Sequence, residues 1–129
     1  NALLPVYLTR QEDALSLPWS PMERGFCNPP YSNILPWIEK AIEESARGFS
    51  TTFVLPTHRN QRWAALVGQY ATERIEFDGR VNFLRPDGTM QLGNAGGTQV
   101  AHFRTYDLGL TRTVWLDTRA LIARYQEAA

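Results

Sequence analysis

The stretch GFCNPPYSNILPW, Gly25–Trp37, holds three kinds of chain in thirteen residues. Arg24 to Cys27 reads as a brief strand. Pro29 and Pro30 then end it, because proline has no N–H for a ladder and a fixed φ. Pro36 suits the first turn of a helix. Behind it Trp37, Ile38, Ala41, Ile42 and Ser45 recur at three- and four-residue spacing, with Glu and Lys between them, and Gly48 ends the run. A strand, a rigid turn and a helix in immediate succession form the opening unit of an α/β domain.

The pattern continues outward from there. Phe49 to Leu55 (FSTTFVL) is apolar and β-branched and stops at Pro56, so it reads as a buried strand. Asn60 is placed to cap a helix carrying Trp63, Leu66, Val67 and Tyr70. Arg74 to Phe77 and Val81 to Leu84 read as strands, with Asp78-Gly79 as a turn between them. Pro86-Asp87-Gly88 turns the chain into a Gly-rich loop through Gly97, and Thr98 to Arg104 is a further strand. Asp117 is placed to cap a last helix with Leu121, Ile122 and Tyr125. Asn1 to Ser20 is loop-like, with one short turn at Arg10 to Leu15. The order predicts an α/β fold whose sheet has an antiparallel end. No repeat or low-complexity tract interrupts it.

Composition bounds the function. The chain of 129 residues is long enough to bury one core. Its formal net charge is zero, so no global field draws a polyanion, although local basic surface is enough for phosphate contacts. All the basic residues but Lys40 are arginine, a bias that suits bidentate contacts and that genome composition also produces. Cys27 is the sole cysteine, which excludes an internal disulfide and fits a cytoplasmic protein. No apolar run reaches membrane-spanning length, and the first residues do not read as a signal peptide. The chain does not begin with Met, and Asn1-Ala-Leu-Leu-Pro reads as the middle of a protein.

A loop leaving the carboxyl end of a strand is where open α/β sheets bind ligands. Asn28-Pro-Pro-Tyr31 occupies that place. The prolines stiffen it, Asn28 offers a side-chain acceptor, a proline carbonyl offers a second, and Tyr31 offers a flat face. Two acceptors at fixed spacing suit an NH2 group, and the flat face suits a planar heterocycle. On adenine the lone pair of such an amine is delocalised into the ring, which makes it a poor nucleophile. Holding both N–H bonds favours a pyramidal nitrogen whose lone pair can be aimed. Neither acceptor is a strong base, so the site would act by positioning and preorganised electrostatics.

NPPY is similar to the motif of amino-group methyltransferases that use S-adenosylmethionine. Asn1-Ala-Leu, Tyr7-Leu-Thr, Glu12-Asp13-Ala-Leu15, Trp19, Cys27 to Ser32, Trp37, Lys40-Ala41 and Gly48 extend the likeness. So do Leu55-Pro56, Arg62-Trp63 and Gly79-Arg-Val-Asn-Phe83. Together they resemble the phage-type DNA N6-adenine methyltransferases over roughly Asn1 to Arg104. The resemblance implies a Rossmann-like, three-layer fold, with a methyltransferase domain over residues 1–107 and a strand/helix extension over 108–129. It implies methyl transfer from S-adenosylmethionine to a flipped-out adenine of double-stranded DNA, in a bacterial or phage-infected cell. Asn28, Pro29, Pro30 and Tyr31 would be catalytic, and Asp13, Asn28 and Pro30 would meet the donor.

Ser32, His58, Arg59 and Arg62 are the expected DNA contacts. The segment Thr57 to Arg62 reads equally as a solvated loop and helix start, and Asp13 as an ordinary turn aspartate. In such enzymes an acidic, small-residue segment holding the donor precedes the part matching Asn1. Nothing here supplies it, so the start of the protein is expected to lie ahead of Asn1. No metal is expected, since His58 and His102 are the only histidines and no cysteine pair supports them. Cys27 reads as a core residue, not a nucleophile. The residues leave open other amines (RNA adenine, cytosine N4, protein glutamine), an inactive DNA-binding remnant, and a purely structural domain.

Overall fold

The computed structural model describes residues 13–19, 24–58, 60–78, 81, 85–89, 97–104 and 111–128. The elements run β1 (Arg24–Cys27), α1 (Leu35–Ala46), β2 (Ser50–Pro56), α2 (Arg62–Tyr70), β3 (Glu73–Asp78), β4 (Thr98–Phe103), β5 (Arg112–Asp117) and α3 (Thr118–Ala128). The sheet order is β1-β2-β4-β3-β5. β1 and β2 are parallel, β4 is antiparallel to both β2 and β3, and β5 is parallel to β3. Four strands therefore point one way, and the reversed strand β4 lies inside the sheet and not at its end as expected. Strand order is decided by long-range pairing, which local pattern does not carry.

The path from β1 through α1 to β2 and the path from β2 through α2 to β3 both advance in the same direction across the sheet. Crossovers of one hand then place both helices on one face. The core confirms this: Ile38 and Ala41 of α1 and Trp63, Leu66 and Val67 of α2 cluster with Phe53, Leu55, Ala101 and Phe103. Phe53 and Phe103 meet edge-on, with ring centroids 5.6 Å apart. β2 was expected to be buried throughout, yet burial alternates: Thr51, Phe53 and Leu55 are buried, and Thr52 and Val54 only half so. The opposite face stays partly open, with Phe26 57% exposed. The third layer expected from the resemblance is not among the described residues.

Local chemistry explains the element ends. α1 has proline in its first turn and closes with Gly48 at φ 102°, where the Gly48 N–H donates to the Ser45 carbonyl and the Phe49 N–H to the Glu44 carbonyl. That pair of bonds is the Schellman closure, and its left-handed residue is what glycine supplies. Glu44 is wholly buried, and its Oε1 accepts from Lys40 Nζ at 3.0 Å and Arg47 at 3.3 Å. α2 does not start as expected. Gln61, not Asn60, is the N-cap residue, and its side chain makes no capping bond. Tyr70, expected on the apolar face, is exposed.

The turn at Pro86 forms as read, the Gly88 N–H donating to the Arg85 carbonyl at 2.9 Å. Asp117 caps α3 through its Oδ1, which accepts from the Arg119 N–H at 2.9 Å. The described side chains of α3 are exposed apart from Thr118. The expected turn at Gly79, most of the expected strand at Val81–Leu84, the loop at Met90 and the side chains of Ile122 and Tyr125 lie outside the described residues.

Candidate functional site

The carboxyl ends of β1, β2, β3 and β5 share one edge of the sheet, where Pro56 pairs with Thr98 and Asp78 with Asp117. The Asn28–Tyr31 turn leaves β1 at this edge, and Thr57 and His58 leave β2 beside it. Placing these two loops together is a consequence of the parallel β1–β2 pair, and it creates the crevice in which open α/β sheets hold ligands.

Within the turn, Pro29 is buried and Asn28, Pro30 and Tyr31 are exposed. The Pro30 carbonyl is engaged, accepting from the Asn33 N–H at 3.0 Å. The Asn28 amide and the Pro29 carbonyl have no hydrogen-bond partner among the described residues. Of the two carbonyls weighed from sequence, the turn therefore leaves Pro29's available. Tyr31 is 43% exposed, and burial of the rest of the ring pushes its hydroxyl above the usual tyrosine range. Cys27 packs against the core, and burial pushes its thiol up to about 12. It stays protonated at neutral pH, so the residue before the turn is no thiolate nucleophile.

Beyond Tyr31 opens a groove of about 510 Å³. Tyr31, Ser32 and Asn33 from the loop after β1, and Thr57, His58 and Gln61 from the loop after β2, line it. Ile34, Leu35 and Trp63 supply apolar surface, and among the described residues no carboxylate lines it. His58 stands edge-on to the buried Trp63, with ring centroids 6.2 Å apart. The exit from β2 is tied to the start of β4 by the Thr57 N–H, which donates to the Gly97 carbonyl at 2.9 Å. Hydrogen-bonding groups over apolar and aromatic surface suit a planar polar heterocycle.

The residues singled out from sequence divide accordingly. Tyr31, Ser32 and His58 line the groove, and Asn28, Pro29 and Pro30 form the adjoining turn. Arg62 is exposed at the first position of α2 and does not line the groove. Asp13 sits in a separate turn, its Oδ1 accepting from the Leu15 N–H at 3.1 Å, and is not part of the groove lining. Arg59 lies outside the described residues. His102 belongs to β4, where its Nδ1 meets Thr52 Oγ1 at 2.9 Å. Among the described residues no group of three or more His, Cys, Asp and Glu side chains converges to hold a metal ion. No described helix is long and apolar enough to cross a membrane.

Sequence reading missed Asn33 as a groove residue, and it held Thr57 and Gln61 only as part of the Thr57–Arg62 segment weighed as a DNA contact or a solvated loop. The signal that could have found Gln61 is its place just ahead of an apolar-periodic run, where Ser, Thr, Asp or Asn is expected. The family described as DNA N-6-adenine-methyltransferase (Dam) matches residues 1–115. None of the curated proteins and none of the solved structures matches the chain.

Proposed function

The chain belongs to the DNA N-6-adenine-methyltransferase (Dam) family, and from that premise we propose that it methylates the N6 amine of an adenine turned out of double-stranded DNA, with S-adenosylmethionine as donor. The observation that carries the reading is the turn itself. It presents two unengaged neutral acceptors, Asn28 Oδ1 and the Pro29 carbonyl, beside the half-exposed ring of Tyr31.

Each part of the turn has a task. Asn28 and Pro29 accept the two N–H bonds of the amine and so direct its lone pair outward. Pro29 is buried and both prolines are fixed in φ, so the Pro29 carbonyl needs no reorganisation when the amine arrives. Tyr31 stacks on the base and offsets part of the unstacking cost, by about 1–3 kcal/mol per base.

The set fits a donor that needs no activation. It contains no strong base, and the Cys27 thiol is held protonated. When bound, S-adenosylmethionine supplies a methyl carbon already activated by its sulfonium sulfur. With its two N–H bonds held by Asn28 and Pro29, the amine would turn its lone pair towards that carbon, and the proton lost on transfer would go to solvent. No covalent enzyme intermediate is required. The fold we propose for the whole unit is Rossmann-like, which the parallel β1–β2 pair with its crossover helix supports.

The test is to incubate the complete gene product with isotopically labelled S-adenosylmethionine and mixed-sequence duplex DNA, then digest the DNA and weigh its nucleosides. Labelled N6-methyladenine is the expected product. Label in cytosine, or in RNA or protein offered in parallel but not in DNA adenine, would overturn the assignment.

A further inference from the structure

Gln61 breaks a local rule at the edge of the groove. It holds the N-cap position of α2 in an extended conformation (φ −111°, ψ 146°), yet no side-chain capping bond forms. Short oxygen-bearing side chains fill that position because they reach back to the first N–H groups. Glutamine is too long for that task. Asn60, a good capping residue, stands one position earlier and is passed over. A local conflict of this kind is expected where a side chain serves function.

Gln61 lines the same groove as Tyr31, Ser32 and Asn33. It is exposed, and its amide has no hydrogen-bond partner among the described residues. Gln99, by contrast, donates from Nε2 to the Pro56 carbonyl at 3.1 Å. Gln61 is therefore a glutamine amide left available in the groove that a base stacked on Tyr31 would enter. With the N6 hydrogens taken by Asn28 and Pro29, the unread groups of adenine nearest the amine are the ring nitrogens N1 and N7. Both are acceptors, and Gln61 Nε2 is a donor.

We infer that Gln61 reads the target base by donating a hydrogen bond from Nε2 to a ring nitrogen, N1 or N7, beside the methylated amine. This rests on the adenine reading above. It gives the site a contact that the turn alone lacks, because Asn28 and Pro29 would hold any exocyclic amine equally. A bond to N7 also rejects cytosine, which has no atom there.

The experiment compares kcat/KM for adenine, 1-deazaadenine and 7-deazaadenine at the target position of a duplex, using wild-type full-length protein, Gln61→Ala and Gln61→Glu. Gln61→Ala slows methylation of adenine about two- to tenfold, the value of one neutral hydrogen bond. One of the two analogues slows the wild type by a similar factor but slows Gln61→Ala no further, and which one identifies the nitrogen. Gln61→Glu loses more than Gln61→Ala, since it sets a carboxylate against a ring acceptor. Unchanged thermal melting of both variants assigns the loss to the contact and not to the start of α2. Equal sensitivity of wild type and Gln61→Ala to both analogues overturns the inference while leaving adenine methylation intact. Failure of the wild type to methylate adenine at all overturns both readings.

Discussion

Gly97→Ala probes the tie that holds the groove wall in place. A Cβ at Gly97 would lie 2.8 Å from Thr57 Oγ1 and 3.1 Å from Thr57 Cβ. Rotation of the Thr57 side chain relieves the first contact but not the second, because a Cβ moves only with its backbone. The chain at Thr57 must then shift by a few tenths of an ångström, which lengthens its 2.9 Å hydrogen bond to the Gly97 carbonyl. Overpacking costs about 1–3 kcal/mol. The weakened bond adds a fraction of its net value of about 0.5–1.5 kcal/mol. We expect a loss of about 1–2 kcal/mol, read by thermal unfolding as a fall in Tm of about 3–8 °C for a chain of this size. A double-mutant cycle with Thr57→Gly, which removes the offending Cβ, should recover about 1 kcal/mol of coupling. The KM for DNA should rise with the shifted wall. A melting temperature within about 1 °C of wild type, or strict additivity in the cycle, would refute the reasoning.

Three further outcomes follow from the same geometry. Tyr31→Phe keeps a stacking face and should retain most activity, whereas Tyr31→Ala should weaken binding to DNA carrying an extruded target about 5-fold or more, as titration would show; equal affinities would exclude the stack. Burial raises the Cys27 thiol from 9.0 to about 12. Its neutral form therefore supports the fold below pH 9, and that support is lost as pH rises from 9 towards 12. Native protein should resist iodoacetamide at pH 8 and Cys27→Ala should still methylate, so rapid alkylation or an inactive but folded variant would contradict the assignment. His102 is depressed from 6.5, mainly by burial, against an opposing effect of Glu73. The unfolded chain then binds the proton more readily, and stability present above pH 6.5 is lost as pH falls below it; urea melts between pH 7 and 5 should show a flatter profile for His102→Gln.

Where sequence reading succeeded, a local interaction set the outcome. Pro36 and Gly48 bracket α1, because a helix start tolerates proline and a Schellman closure needs a left-handed residue. Asp117 caps α3 through its own side chain. The strand–turn–helix order around Asn28 was legible for the same reason, and it carried the candidate site with it.

Where sequence reading failed, distant chain decided. The place of β4 between β2 and β3 depends on pairings such as Thr51 with Phe103, across some fifty residues. Tyr70 fits the helical period of Trp63, Leu66 and Val67, yet it lies in the last turn of α2 and remains exposed. Asn33 was missed because its part in the groove depends on the parallel β1–β2 pair, which brings the loops after two different strands to one edge.

The central claim is that Asn28 works by holding the target amine. The most direct measurement is single-turnover methylation of duplex DNA by Asn28→Ala and wild-type protein with labelled S-adenosylmethionine, with donor and DNA affinity titrated alongside. The account predicts a transfer rate lower by about 10²–10³, the value of one preorganised polar contact at the reacting centre, with both affinities and the melting temperature little changed. Wild-type transfer rates in Asn28→Ala would contradict it.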